Sequence, residues 1–407
     1  MTKERVAIFL EAPKNSGGAF QELDYMVKKI KKFNKNEIEI VIISTSSKLE
    51  LNLEEEKLET YYFSMNAVDR FICFLRNYGS ITRRIKKIFF FKNKFEQFLK
   101  KIKIDVVYFT GPSQYSLYLD DTDFIITVPD VSHRENIELP EWTKSSEFVR
   151  KDEILKKTTI KAVAVITNSE IIKNRISFIY SVLKERIFVI SHQPSTCVSN
   201  FDKNNKETKI DFEKKYKLPK KYLFYPAMYL PHKNHRYLLD VIKILNYDLK
   251  IDMSLVLCGS DKGYLDRLKK HALKLKIDTK VIFLNFVDND HLPYLYLNAF
   301  ALAMPTYSGP TNIPPWEAFH LGTPVLYSDI FEIKKIYKDA VYYVDPYDPL
   351  TMVEGIKKML QNDLISQELI HNGKKLLNSI DNDKEFGQFF DIIRKRKKLK
   401  ESWVFEK

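Results

Sequence analysis

Cysteine is scarce in these 407 residues: Cys73, Cys197 and Cys258 stand far apart and form no metal-binding or redox motif. That spacing excludes a disulfide framework, and the three read as small apolar fillers in a reducing compartment. Long apolar runs are also missing. No stretch approaches the ~20 residues of a membrane span. The N-terminal run Val6–Leu10 is closed by Glu11 and is too short for a signal peptide. The expectation is a cytoplasmic protein whose membrane contact, if it has one, is peripheral and on the inner face of the cytoplasmic membrane. The loop Ser16-Gly17-Gly18 lacks the G-x-G-x-x-G spacing, which weakens a dinucleotide-binding reading. No buried strand ends in a metal-binding Asp-x-Asp: Asp121-Thr122-Asp123 and Asp288-Asn289-Asp290 lie in polar loops. No metal and no cofactor are therefore expected.

Acidic residues are outnumbered, 53 against 66 lysines and arginines, giving a net charge of +13 and a pI of about 9.2. An acidic partner follows: a phosphorylated substrate, an anionic membrane surface or a nucleic acid. No base-reading motif accompanies the charge, so nucleic acid is not expected. Much of the charge sits in Arg76–Lys103, where Phe89, Phe90, Phe91, Phe95, Phe98 and Leu99 interleave with basic residues. Such a segment can lie on an anionic bilayer, or it can be the solvated face of a core-packed helix.

What remains is alternation. Apolar strands at Arg5–Leu10, Ile38–Ser44, Asp105–Thr110, Phe124–Val128, Ala162–Thr167 and Ile187–Ile190 are separated by helical spacing. Periodicity then fails from Ser191. A second series begins at Tyr222–Tyr225 and runs through Leu255–Cys258, Val281–Leu284, Ala299–Met304, Val325–Tyr327 and Val341–Val344. Two α/β units facing each other across a cleft are the economical architecture. Residues 1–190 form the first unit, 191–215 a linker, 216–375 the second unit and 376–407 a tail. Ligands of such sheets bind beyond the carboxyl ends of strands. Asp130 and His133, after Phe124–Val128, are thus candidates for chemistry, although a strand-end Asp is often a turn former and a lone His often structural.

The stretch Met304–Val325 carries the sharpest signal. A loop runs from a strand end into a helix opened by Pro314-Pro315 and stopped by Gly322 and Pro324. Its N-terminus suits a phosphate, and Glu317 just inside the helix suits a vicinal diol such as a ribose. Together they suit a nucleotide diphosphate.

These pieces resemble glycosyltransferase family 4, the retaining transferases (glycosyl transferases group 1) with a GT-B fold of two Rossmann-like βαβ domains. The likeness rests on Pro-His-Lys-Asn-His at 231–235, Val-Leu-Cys-Gly-Ser at 256–260, Val-Ile-Phe-Leu-Asn-Phe-Val at 281–287, Tyr-Ser-Gly-Pro-Thr-Asn-Ile-Pro-Pro-Trp-Glu-Ala at 307–318 and Gly-Thr-Pro-Val at 322–325. In the first half, Ser16-Gly17-Gly18, Pro129-Asp130-Val131-Ser132-His133 and Ile166-Thr167-Asn168-Ser169-Glu170 are similar too.

The resemblance implies a nucleotide-sugar donor, a glycan or lipid-linked acceptor, and metal-independent transfer in surface polysaccharide or lipopolysaccharide synthesis. It also implies roles. Glu317 holds the ribose, and Lys233 neutralises the diphosphate. Gly309, Pro310, Thr311, Asn312 and Ile313 form the donor loop. Gly259 and Val287 line the nucleotide, Gly17 and Gly18 let the first domain approach the donor, and Asp130 and His133 stand on the acceptor side. Two positions depart from the family pattern. Gly309 replaces the first of its two clamping glutamates. Ala227 replaces an arginine, for which His232 is a partial substitute. A sugar-nucleotide epimerase and a catalytically silent nucleotide-sugar-binding protein are the competing readings.

Overall fold

The computed structural model describes residues 3–11, 18–33, 37–46, 58–70, 93–143, 146–202, 204, 206–285, 287–330 and 332–402. The first series of strands forms one parallel sheet from β1 Glu4–Leu10, β2 Ile38–Ser44, β3 Glu59–Tyr62, β4 Val106–Phe109, β5 Asp123–Thr127, β6 Ala164–Thr167 and β7 Ile187–Val189, in the order β3-β2-β1-β4-β5-β6-β7. The second forms another from β8 Tyr222–Pro226, β9 Ser254–Cys258, β10 Val281–Leu284, β11 Ala301–Met304, β12 Val325–Ser328 and β13 Tyr342–Val344, in the order β10-β9-β8-β11-β12-β13. All described pairings are parallel.

Parallel strands are covered on both faces, which is why they read as unbroken apolar runs. In β1, Ala7 and Phe9 enter one core with Phe95, Leu99 and Val107, while Val6, Ile8 and Leu10 enter another on the opposite face. Period-two side-chain alternation thus feeds two cores from one strand. The edge strand β3, Glu-Thr-Tyr-Tyr, is largely exposed and has no apolar run, so the sequence gives it no signal.

That opposite face is closed by the tail. The helix Asn382–Glu401 lays Phe386, Phe389, Phe390, Ile392 and Ile393 onto Val6, Ile8 and Ile125 of the first unit. Arg396, 5% exposed, fixes it there. Its Nε donates to Asp123 Oδ2 at 2.8 Å, its Nη2 to the Asp105 carbonyl at 3.0 Å, and its Nη1 to Glu4. The tail therefore crosses back to the first unit.

The segment 191–215 contains short helices, Thr196–Ser199 and Lys206–Lys215. Val198 and Phe212 are buried in the core of the second unit. Periodicity fails there because the first of these helices is a single turn.

The helix Gly18–Phe33 begins at Gly18; Gly17 lies outside the described residues. Of the basic segment, residues 76–92 lie outside them too. In its described part, the helix Lys94–Lys101, Phe95 and Leu99 are buried and Lys100 pairs with Asp121 at 2.7 Å. Over these residues the helix is core-packed with a solvated basic face. No helix among the described residues is long and apolar enough to cross a membrane.

Candidate functional site

The order of the second sheet reverses between β8 and β11. Open α/β sheets bind ligands in the crevice that such a reversal leaves beyond the strand ends. The two loops that flank it here, 227–234 after β8 and 305–312 after β11, are clasped together. Tyr307 N and Thr306 Oγ1 both donate to the His232 carbonyl, at 2.9 and 3.1 Å. Asn234 Nδ2 donates to the carbonyls of Pro305 and Pro346, each at 2.9 Å. Asn234 adopts φ 56°, a left-handed conformation that Asn tolerates better than most residues.

Lys233 projects into this clasp. Its Nζ donates to Asn312 Oδ1 at 3.1 Å. The Asn312 Nδ2 donates to the Gly309 carbonyl at 2.6 Å and to Tyr327 Oη, and Tyr327 Oη donates to the same carbonyl at 3.1 Å. Burial lowers the Lys233 ammonium to about 8, with the Asp130 carboxylate of the first unit pulling the other way. A cation held beneath its ordinary pKa has an unmet demand for negative charge.

The loop supplies further donors. The amides of Gly309, Thr311, Asn312 and Ile313 have no partner among the described residues. The helix Ile313–Leu321 contributes less than its position suggests, because Pro314 and Pro315 carry no N–H. The expected anion seat at the helix start therefore narrows to the loop amides and Ile313, and Pro310 adds none.

Two glycines are dictated by the backbone. A Cβ at Gly259 would sit 2.2 Å from the Ala227 carbonyl oxygen, so the end of β9 passes too close to the end of β8 for any side chain. Gly309 has φ +87°, where a side chain is strained, and its Cβ would meet Asn312 Nδ2 at 3.4 Å. In place of a carboxylate at 309, the Asn312 side chain lies against the Gly309 Cα. Val287 is buried in the second core.

Three expected residues are placed differently from expectation. Glu317, expected as an open diol clamp, is 2% exposed and already engaged: Oε1 accepts from Ser195 Oγ and Oε2 from Tyr296 Oη. Burial lifts its carboxyl above the usual range despite these bonds. His232, expected as a stand-in for the missing arginine, turns to the first unit. Its backbone N and its ring Nδ1 both lie 2.9 Å from Glu141 Oε1. Burial lowers its pKa against the pull of Glu141, and the ring is committed to that carboxylate of the first unit.

His133, expected at the acceptor side, is fully buried, between Trp142 and Phe148 at centroid distances of 6.0 and 5.6 Å. Its Nε2 lies 3.1 Å from Tyr180 Oη and 3.4 Å from Asp152. Burial, aided by Lys151, lowers it to about 4. Its ring is packed inside the first unit instead of standing open at the strand end.

Asp130 does stand at the strand end. Lys151 Nζ donates to it at 2.8 Å, as do Ser132 N at 2.9 Å and Ser132 Oγ. Burial opposes ionisation, but Lys151 and Ser132 prevail and hold the carboxyl well below the usual range. Lys151 and Glu141 went unnoticed as site residues in the sequence. Neither lies in a motif, and each is defined by a partner distant in sequence.

Residues 206–376 match the family described as glycosyl transferases group 1. The O-antigen chain mannosyltransferase RfbU of Salmonella typhimurium is 29% identical over 208 residues, 51% of this chain and 54% of that protein. The chain spans about half the length of the curated relatives it matches. Among solved structures, Anabaena HepE in complex with UDP-glucose superposes with a TM-score of 0.70 at 13% identity, covering 96% of this chain and 99% of that one. WaaG, a glycosyltransferase involved in lipopolysaccharide biosynthesis, gives a TM-score of 0.70 at 15% identity, covering 95% and 99%. Residues 206–376 thus carry the likeness to the glycosyl transferases group 1, and the whole chain has the GT-B fold of two Rossmann-like domains.

Proposed function

We propose that this protein is a retaining, metal-independent glycosyltransferase. It moves a sugar from a nucleotide-sugar donor to a glycan or lipid-linked acceptor in surface polysaccharide or lipopolysaccharide synthesis. The observation that carries this reading is the Lys233–Asn312 contact beside four loop amides without a partner among the described residues, at the reversal point of the second sheet. The named activities of the relatives support the assignment of polysaccharide synthesis.

The chemistry follows from charge. Breaking the bond between the anomeric carbon and the diphosphate leaves negative charge on the phosphate and positive charge on the sugar. Lys233 and the amides of 309–313 stabilise the first. Preorganised donors of this kind usually supply the largest catalytic term. With a fixed cation and amides on the leaving group, no metal is required for that role. Asp130, paired with Lys151, acts electrostatically on Lys233 from the first unit. The acceptor hydroxyl attacks from the face the diphosphate leaves. In this conformation Glu317 acts as a brace, tying Ser195 of the linker to the helix of the donor domain. Closure of the two domains excludes water and limits donor hydrolysis.

The test is turnover of a panel of nucleotide sugars with oligosaccharide and lipid-linked acceptors, with and without EDTA, and proton NMR of the product anomer. Retained configuration and EDTA-resistant transfer are expected. Inversion, or activity abolished by EDTA, contradicts the proposal.

A further inference from the structure

The strand β12 reads Val-Leu-Tyr-Ser and is buried throughout. Val325 and Leu326 suit a strand covered on both faces, whereas Tyr327 brings a hydroxyl into it. A buried hydroxyl must find partners, so phenylalanine would serve better if packing were the only demand. The register sets Tyr327 beside Met304, the last residue of β11 and the root of the donor loop. Its ring packs against Tyr337, with centroids 5.2 Å apart, and its hydroxyl reaches the loop.

The hydrogen bonds there form a closed set. The Gly309 carbonyl can only accept, and it takes one bond from Asn312 Nδ2 at 2.6 Å and one from Tyr327 Oη at 3.1 Å. With its single proton given to that carbonyl, the Tyr327 hydroxyl can only accept elsewhere. It accepts from Asn312 Nδ2. Both protons of the Asn312 amino group are then committed. The other end of the amide, Oδ1, is left for Lys233 Nζ, which donates to it at 3.1 Å. Burial raises the Tyr327 phenol above its ordinary pKa, so it keeps the proton that the set requires.

The set has a polarity. An asparagine side chain can turn over, exchanging two ends of nearly equal size, one a donor and the other an acceptor. Turned over, Asn312 would present N–H groups to the Lys233 ammonium and its carbonyl oxygen to the Gly309 carbonyl. Donor would then meet donor, and acceptor would meet acceptor. The Gly309 carbonyl alone opposes that rotation through one bond, and the Tyr327 hydroxyl adds a second tie. Phenylalanine at 327 would leave one Asn312 amino proton without a partner and the amide freer to leave Lys233.

We infer that Tyr327 is a positioning residue for the donor diphosphate: its hydroxyl orients Asn312, and Asn312 in turn holds Lys233 where the diphosphate is received. This rests on the nucleotide-sugar reading of the site. Tyr327 acts through Asn312 alone, which separates its role from a general contribution to the core.

The test is a double-mutant cycle read by calorimetric titration of UDP and GDP into the full chain. For whichever nucleotide the wild type binds more tightly, Tyr327→Phe should weaken affinity about three- to tenfold, as for loss of one buried hydrogen bond. Asn312→Ala should weaken it about tenfold, because the lost bond involves a charged group. In the Asn312→Ala background, Tyr327→Phe should change affinity less than about twofold, because the two residues act as one unit. Tyr222→Phe controls for the loss of a buried phenol. The Tyr222 hydroxyl donates to the Leu295 carbonyl at 2.9 Å, and Tyr222 opens β8 at the end away from the site. That variant should keep the wild-type affinity. Unchanged affinity in Tyr327→Phe or Asn312→Ala, additive losses in the double variant, or an equal loss in Tyr222→Phe would overturn this inference alone. A wild type that binds neither nucleotide overturns the donor reading, and this inference with it.

Discussion

At the scale of single residues, Asn312 is the piece that makes the donor loop intelligible. Its amide carries a cation on one side and the Gly309 carbonyl on the other. Gly309→Glu would restore the family carboxylate, but at φ +87° it would strain the loop. Such left-handed non-glycine residues cost about 1–3 kcal/mol. The variant should therefore melt lower and lose donor affinity instead of gaining it; a thermal-shift assay with and without nucleotide measures both. The position of Lys233, Gly259 and the 309–313 loop at strand ends of the second sheet was legible in the sequence because each lies in a contiguous motif. Glu317 was legible by position only. Its engagement by Ser195 and Tyr296 depends on residues 122 and 21 positions away, and no local pattern encodes that. His133 illustrates the same limit: the sequence places it at a strand end, but its burial depends on Trp142, Phe148 and Tyr180.

Among the elements, the parallel strands were legible because burial on both faces writes continuous apolar runs. The exposed edge strand β3 was not, because nothing requires apolar residues there. The helix Asn382–Glu401 shows a mixed case. Its aromatic side chains signal burial, but the target surface is encoded in strands near the other end of the chain. Arg396 is the test of that docking. Removing one partner of a buried ion pair leaves an uncompensated charge and costs about 3 kcal/mol or more. Glu4, already lifted above the usual carboxyl range by burial, is the charge that would be left. Arg396→Ala should lower the urea midpoint accordingly, and Arg396→Met should recover part of it. An unchanged midpoint contradicts the docking role.

For the molecule as a whole, a side chain of the first unit reaches the loop after β8 beside Lys233. Glu141 of the first unit receives two hydrogen bonds from His232, the residue before Lys233. The His232 carbonyl in turn receives two from the donor loop. On the proposed function, this contact makes Glu141 a positioning residue for Lys233 through its neighbour. Small misplacements of catalytic groups can cost ~100-fold in rate. Glu141→Ala should lower kcat by roughly that order or somewhat less, with donor affinity changed less than about threefold, and Glu141→Gln should recover part of the loss. An equal fall in donor affinity would mean that Glu141 serves binding and not positioning.

The most direct measurement is calorimetric titration of nucleotide sugars into the wild type and Lys233→Ala across a range of pH. Lys233 is charged below its lowered pKa of about 8 and neutral above it, so wild-type affinity should fall as pH rises through that value. Loss of a charge-assisted contact should weaken binding in the variant by roughly 10- to 100-fold and flatten the pH dependence. Equal affinity in both proteins, with the same pH profile, would contradict the account that Lys233 holds the donor diphosphate.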